Sequence, residues 1–449
     1  MQPNGDDAAE EIGRSPDRGT SMARGVRVVL ACTALAVVAG ACSNSTSGSS
    51  GSAGGSGAPG VTASQISVGS IADITGPLSS DFAPITAGVR AYFDVVNAAG
   101  GVNGRKLVLA YQKDDQGSPT TDLTVAQQLV EQNHAFAVVG VATPFFGSAG
   151  YLAQHGVPTF GYSVSSDWNK GPSLYATYGS VLDFTAGEMS DAFVVKQLHA
   201  TSVGVIAYGV PQSAAACQSA INGFGTFGVN VGFQDLAFGF GSDPTADVLA
   251  MKSHHVDVVL TCLDVTGNVS FARAIVQNGL AAHQVWLNGY DRSTLQQYAS
   301  IMNGVTLEVQ HVPFEASTSF PGKYPGMDAY LQGMQKYEPD STYDEVAFEG
   351  WVDASLFVEG LKQAGKDLTQ AKLVAALNKI TDWTGNGVMP PVDWSKEHTQ
   401  ALGPFCAAHV QVQGDKYVPV FVQPNDEVFT CFDRGSDTPV QPKAGTPGT

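Results

Sequence analysis

Short apolar runs alternate with amphipathic stretches of helical spacing from Gln65 to Leu287, and that rhythm limits the fold more than any other feature. Ile66–Ile71, Lys106–Tyr111, Ala135–Val139 and Pro158–Tyr162 read as strands. Phe82, Ile85, Val89, Phe93 and Val96 recur at helical spacing, and the helix they define stops at Gly100-Gly101. Thr121–Glu131 and Phe146–Gln154 read as further helices. The rhythm restarts with a helix over Val181–His199. Strands follow at Val203–Tyr208, Val229–Leu236, Val256–Thr261 and Gln284–Leu287, separated by helices at Ser213–Asn222, Thr245–His254 and Asn268–Asn278. Two α/β units of about 120 residues each result, with no residue-level repeat between them. Such alternation predicts parallel sheets covered by helices on both faces. Beyond them, Tyr343–Gln363 and Thr369–Ile380 read as helices and Phe405–Phe432 as strands in a hairpin-like arrangement. Asp433–Thr449, rich in Pro, Gly and Thr, is expected to be a disordered tail.

Ahead of this body the longest apolar run is Val28–Ala41, 14 residues, too short for the roughly 20 that span a bilayer. Arg24 and Arg27 precede it, and Ala39-Gly40-Ala41 end it at Cys42. Residues 1–41 therefore read as a signal peptide. Ordinary cleavage after Ala41 and lipidation of Cys42 at a lipobox both fit. The acids ahead of Met22 are odd for a signal, so Met22 is a second candidate start. Residues 42–60 form the lipidated Cys and a Ser/Gly tether, which suits a membrane-anchored lipoprotein.

The 449 residues carry 41 Asp+Glu against 23 Lys+Arg, a net charge of −18. Residues 1–41 hold four Arg and five acids, so the remainder keeps −17. That acidity, with no basic patch, excludes nucleic acid as a partner. Cys217, Cys262, Cys406 and Cys431 remain after processing. Four cysteines allow three pairings; Cys217–Cys262 and Cys406–Cys431 are favoured, because each falls within one local block of elements. No C-x-x-C occurs and the nine His are scattered, so no metal site and no cofactor are expected. Gly223–Gly228 spells G-x-G-x-x-G, but between a helix and a strand rather than the reverse, so it reads as a turn. Gly161–Ser165 is one residue short of a nucleophile elbow and leaves Ser163 as the basis of a remote serine-hydrolase alternative.

Ile66-Ser67-Val68-Gly69-Ser70-Ile71, Thr75-Gly76-Pro77-Leu78-Ser79 and, above all, Val96-Asn97-Ala98-Ala99-Gly100-Gly101-Val102-Asn103-Gly104-Arg105-Lys106-Leu107 resemble the opening of the type I periplasmic solute-binding proteins of the leucine/branched-chain amino acid type. Asp114-Asp115 and Gly156-Val157-Pro158 continue the resemblance, which covers about Gln65 to Val420. It implies an α/β fold of two doubly wound lobes joined by three crossovers near Ser180, Gln310 and Leu402, with ligand in the cleft. Lobe one would take 61–180 and 311–401, and lobe two 181–310 and 402–432. The implied protein is not an enzyme. It is a monomer that binds an amino-acid-like solute and delivers it to ABC permease subunits at the outer face of the cytoplasmic membrane. A ligand-sensing surface receptor of the same fold is the alternative.

Ligands in open α/β sheets lie beyond the carboxyl ends of strands. The resemblance places Thr143, Ser163 and Ser165 at the ligand carboxylate and Asp291 at its ammonium. Asp183 stands near the first crossover. Tyr208 and Gln212 close one strand of lobe two, and Asp264 closes another. Phe145, Phe146, Tyr162 and Trp168 are candidates for an aromatic wall or for core, Phe146 leaning more to core than Phe145. Pro144-Phe145-Phe146 replaces the small hydroxyl residues usual in the family, which points to an apolar or aromatic ligand.

Overall fold

The structure, a computed structural model, describes residues 57–182, 187–401 and 405–441. Cys42, Asp183 and Leu402 lie outside them. Lobe one is laid on five parallel strands, β1 (Gln65–Ala72), β2 (Lys106–Asp114), β3 (Val138–Ala142), β4 (Thr159–Gly161) and β5 (Leu174–Ala176). Their order is β2-β1-β3-β4-β5. Helices α1 (Ser79–Phe82), α2 (Ile85–Ala98), α3 (Pro119–Gln127) and α4 (Ala149–Gln154) make the returns. The chain then builds lobe two from α5 (Met189–Gln197), α6 (Pro211–Phe227), α7 (Thr245–Ser253), α8 (Val265–Asn278) and α9 (Arg292–Met302) around β6 (Val203–Tyr208), β7 (Val231–Phe238), β8 (Val258–Cys262), β9 (His283–Trp286) and β10 (Thr306–Val309). It returns as α10 (Ala316–Ser319), α11 (Pro325–Tyr337), α12 (Glu345–Ala364) and α13 (Gln370–Leu377). It ends as β11 (Phe405–Gln413), β12 (Lys416–Val420), β13 (Thr430–Phe432) and β14 (Pro439–Val440). The second sheet runs β14-β13-β11-β10-β9-β8-β6-β7, with β12 on β11. The fold is therefore two doubly wound α/β lobes between which the chain passes three times.

Local chemistry explains the Asn97–Leu107 signature. The Asn97 amide donates to the Leu107 carbonyl at 2.8 Å, and Leu107 N–H donates back to Asn97 Oδ1 at 2.8 Å, clamping the end of α2 to β2. Gly101 has φ +75°, and a Cβ there would fall 2.1 Å from the Arg105 carbonyl oxygen. Only glycine fits the turn between helix and strand.

Several elements differ from expectation. The strand expected at Ala135–Val139 is β3, shifted to Val138–Ala142. The long helix over 181–199 is α5 alone among the described residues, started by Glu188, whose side chain accepts from Ser190 N–H. Helix α6 continues through Gly223 and Gly225 to a left-handed cap at Gly228, so the G-x-G-x-x-G run is the end of a helix. The tail expected to be loose contains β14, which pairs with β13 through Cys431–Val440. Residues 442–449 lie outside the described residues.

Cys217–Cys262 and Cys406–Cys431 are disulfides, 45 and 25 residues apart in sequence. The first ties α6 to the end of β8 and the second ties β11 to β13. Loop closure of these lengths removes unfolded-state entropy worth about 4 and 3.5 kcal/mol in the chain-entropy model. Reduction is expected to lower the melting midpoint by 10 °C or more at roughly 2 °C per kcal/mol. Calorimetry with and without reductant checks it, and an unchanged midpoint would contradict it.

Candidate functional site

The carboxyl ends of both sheets open on one cavity of about 760 Å³. Lobe one contributes the loop into α1, the Pro144-Phe145 turn after β3, Tyr162–Val164 after β4 and the start of α12. Lobe two contributes the ends of β6, β8, β9 and β10. Gln212 Nε2 donates to the Pro144 carbonyl at 3.0 Å, a hydrogen bond from one lobe to the other. The backbones of Asp291 and Asp344 form an isolated antiparallel bridge, which holds the start of α9 against the start of α12.

Seven of the residues read from the sequence meet here: Phe145, Tyr162, Ser163, Tyr208, Gln212, Asp264 and Asp291 all line the cavity. Ser163 Oγ is buried without a hydrogen-bond partner, and no histidine lines the cavity among the described residues. Tyr208 Oη donates to Asp264 Oδ1 at 2.5 Å, and its ring stacks on Phe240 with centroids 3.9 Å apart. Asp264 also caps α8 by accepting from Gly267 N–H at 2.9 Å. Asp291 caps α9, accepting from Thr294 N–H at 2.7 Å. Phe145 and Phe240 line the cavity from opposite lobes while staying exposed, at 36% and 55%.

Two of the expected residues do not reach the cavity. Thr143 is buried, and its hydroxyl bonds within its own turn to Phe145. Ser165 is buried and accepts from Asp167 N–H, capping the turn at 166–170. Short loops take up such hydroxyls before a ligand can. Phe146 and Trp168 pack against one another, tilted, with centroids 4.5 Å apart inside the lobe-one core, so the aromatic wall is Phe145 and Tyr162 without them.

The cavity also holds residues that strand-end reasoning passes over. Asp81, Glu308, Asp344 and Glu345 join Asp264 and Asp291, making six acids, with no Lys, Arg or His, among the described residues of the wall. Asp81 Oδ2 is buried and unpartnered. Burial, then the charges of Asp264, Asp291 and Asp344, push Asp81 up to about 7. Burial is also the main cause that holds Asp344 at about 7. Glu345 is raised well above the ordinary range, by burial first and Asp344 second. Arg292 does not relieve this field inside the cavity, because its guanidinium lies over the Tyr343 ring at 3.1 Å. Asp81 and Asp344 come from helix starts, not strand ends. The N-cap pattern Asp344-Glu345 before a long apolar helix was the available signal. An apolar chamber with unpaired carboxylates is suited to hold a cation that has an apolar body.

Comparison with known proteins agrees with this architecture. The periplasmic binding protein family matches residues 65–416. A Leu/Ile/Val-binding protein homologue of Brucella melitensis is 34% identical over 98 residues, 21% of this chain; the matched part spans about a quarter of that relative, 26% of its length. A fatty acid ABC transporter substrate-binding protein from Thermomonospora curvata superposes with a TM-score of 0.66 at 18% identity, over 83% of this chain and 96% of that one. A branched-chain amino acid ABC transporter protein from Thermus thermophilus with bound valine gives 0.65 at 17% identity, over 79% and 95%. With the family matched over most of its length, and with two parallel-sheet lobes crossed three times by the chain, the protein belongs to the periplasmic binding protein family and has its type I fold.

Proposed function

We propose that this protein is the solute-binding component of an ABC importer, exported and lipid-anchored at Cys42. It captures a small amino-acid-like ligand bearing an ammonium group, and it catalyses no reaction. The observation that carries the reading is the charge of the cavity, six acids and no Lys, Arg or His among its described residues. An ammonium among Asp81, Asp291 and Asp344 gains Coulomb energy and takes the place of the solvent those acids lost. Ser163, with its free hydroxyl, serves the opposite end of the ligand, and Phe145 and Phe240 cover the apolar body. The Thermomonospora protein is named for a fatty acid and the Thermus protein holds valine. A carboxylate with no amine would be repelled by this wall, which favours the second kind of ligand.

Capture works by population shift. Groups of both lobes reach the ligand together only when the cleft is closed, so ligand favours closure and closure presents a different face to the permease. A thermal-shift library of amino acids, amines and simple carboxylates tests the reading. At 100-fold excess over the dissociation constant a true ligand adds about 2.7 kcal/mol. Amine-bearing members are expected to raise the midpoint by several degrees and simple carboxylates to leave it unmoved. A library in which only carboxylates shift the midpoint would sink the assignment.

A further inference from the structure

Away from the ligand's apolar walls, three ionisable side chains meet where the lobes are joined. Asp191 is on the first turn of α5, just after the first crossing of the chain. Glu308 is on β10, just before the second. His409 is on β11, just after the third, directly opposite Glu308 in the antiparallel register. All three are buried, at 0%, 7% and 1% exposure. Their ligand atoms lie within 4.8 Å of one another. Both oxygens of Asp191, Oε2 of Glu308 and Nε2 of His409 have no hydrogen-bond partner. No lysine or arginine pairs with them among the described residues.

Buried carboxylates that accept from no donor are unfavourable, and this group is relieved either by a proton held between Asp191 and Glu308 or by a cation in its place. Three ligand atoms, one from each residue and all within 4.8 Å of one another, suit a cation. We propose that Asp191, Glu308 and His409 form a binding site for one divalent transition-metal ion, Zn²⁺ or Mn²⁺, at the junction of the three crossings. Two carboxylates and one imidazole are the mixed oxygen and nitrogen set such ions take, whereas Mg²⁺ and Ca²⁺ favour oxygen alone. Bonds of about 2.0–2.2 Å place ligand atoms roughly 3–4.4 Å apart around zinc, so small side-chain rotations close the group on an ion. Glu308 also lines the ligand cavity, which supplies a route of entry and room for a water ligand. The ion would tie together the three segments through which the lobes move.

The cluster of Asp73, Asp114 and Asp115 shows the contrast. There Asp73 accepts from Gly76 and Leu78 N–H, and Asp114 accepts from Ile74 and Gln116 N–H. Asp73 and Asp114 thus organise loops and are already engaged, which leaves Oδ2 of Asp115 as the one carboxylate oxygen of this cluster that is buried without a partner, its Oδ1 accepting from Gly117 N–H.

Untagged mature protein, stripped with EDTA and dialysed, is titrated with ZnCl₂ and MnCl₂ by calorimetry and with CoCl₂ by visible absorption. One equivalent is expected to bind saturably and to raise the melting midpoint. His409→Gln and Asp191→Asn should each weaken binding by at least about tenfold. Metal-free, both variants should melt at or above the metal-free wild type, since each places an amide N–H donor among buried carboxylate acceptors. Absence of a saturable single equivalent in the wild type, or wild-type affinity in both variants, would overturn the proposal; wild-type affinity would mean that surface histidines hold the ion.

Discussion

Replacing Asp81 and Asp291 together by asparagine is expected to weaken capture of an ammonium ligand by about 100-fold or more. Truncating one partner of a buried charge pair commonly costs 2–5 kcal/mol, and each of these acids faces the same cation. Asparagine is chosen so that the fold survives. Asp291 Oδ1 accepts from Thr294 N–H and from Ser293 Oγ, both at 2.7 Å, and an asparagine carbonyl keeps that helix cap. Asp81 Oδ2 has no partner to lose. Isothermal titration with the ligand found in the library reads the affinity. A loss under threefold, with an unchanged melting midpoint, would show that the acids do not hold the ammonium. The same field sets the pH response. Asp81 and Asp344 sit at about 7, so acidification from pH 8 to pH 6 protonates them and removes the charge the ligand needs. Affinity should therefore fall as pH falls, and the double variant should show a flatter profile.

Gly88→Val is expected to prevent folding or to destabilise by more than about 4 kcal/mol, well above the usual range for a point substitution. Helices α2 and α12 touch backbone to backbone. A Cβ on Gly88 would lie 1.7 Å from the Ala347 carbonyl oxygen, and one on Gly350 would lie 1.9 Å from that of Ile85. No side-chain rotation relieves either clash, because the opposing atoms are main chain. Separating the helices would unpack α12, which has fourteen buried residues and carries Asp344 and Glu345 at its start. Gly88→Ala should already cost about 2 kcal/mol or more, in line with overpacking elsewhere. Urea denaturation decides it. A midpoint for Gly88→Ala within error of the wild type would contradict so close a crossing.

Those two glycines were not legible in the sequence, although the helices that carry them were. A period of 3.6 in Phe82–Val96 and again in Val346–Leu361 reports which face is buried, not how near the partner comes. β1, β2 and β4 declared themselves because apolar runs are bounded by glycine and proline. β5 has only three residues, too few for any period to register, and β4, equally short, was legible only because Pro158 and Tyr162 lengthen its run. The cleft was half legible for a related reason. Strand ends lead to Ser163, Tyr208, Asp264 and Asp291. Asp81 and Asp344 start helices and enter the cavity only because α1 and α12 point there. Thr143 and Ser165 have the right chemistry, but their own turns consume it. The group of Asp191, Glu308 and His409 was beyond reach. Scattered histidines argued against a metal, yet His409 meets Glu308 through the register of β10 and β11 alone.

The bond between Cys217 and Cys262 has a consequence for the order of events in the life of the chain. Cys262 lines the cavity, and Cys217 lies on the helix that brings Gln212 across to Pro144. In a reducing cytoplasm those sulfurs stay apart, so the floor of the cleft is not yet fastened. A chain exported as its family implies closes this bond only after leaving the cytoplasm, so the side of the cleft that Gln212 bridges is fastened last.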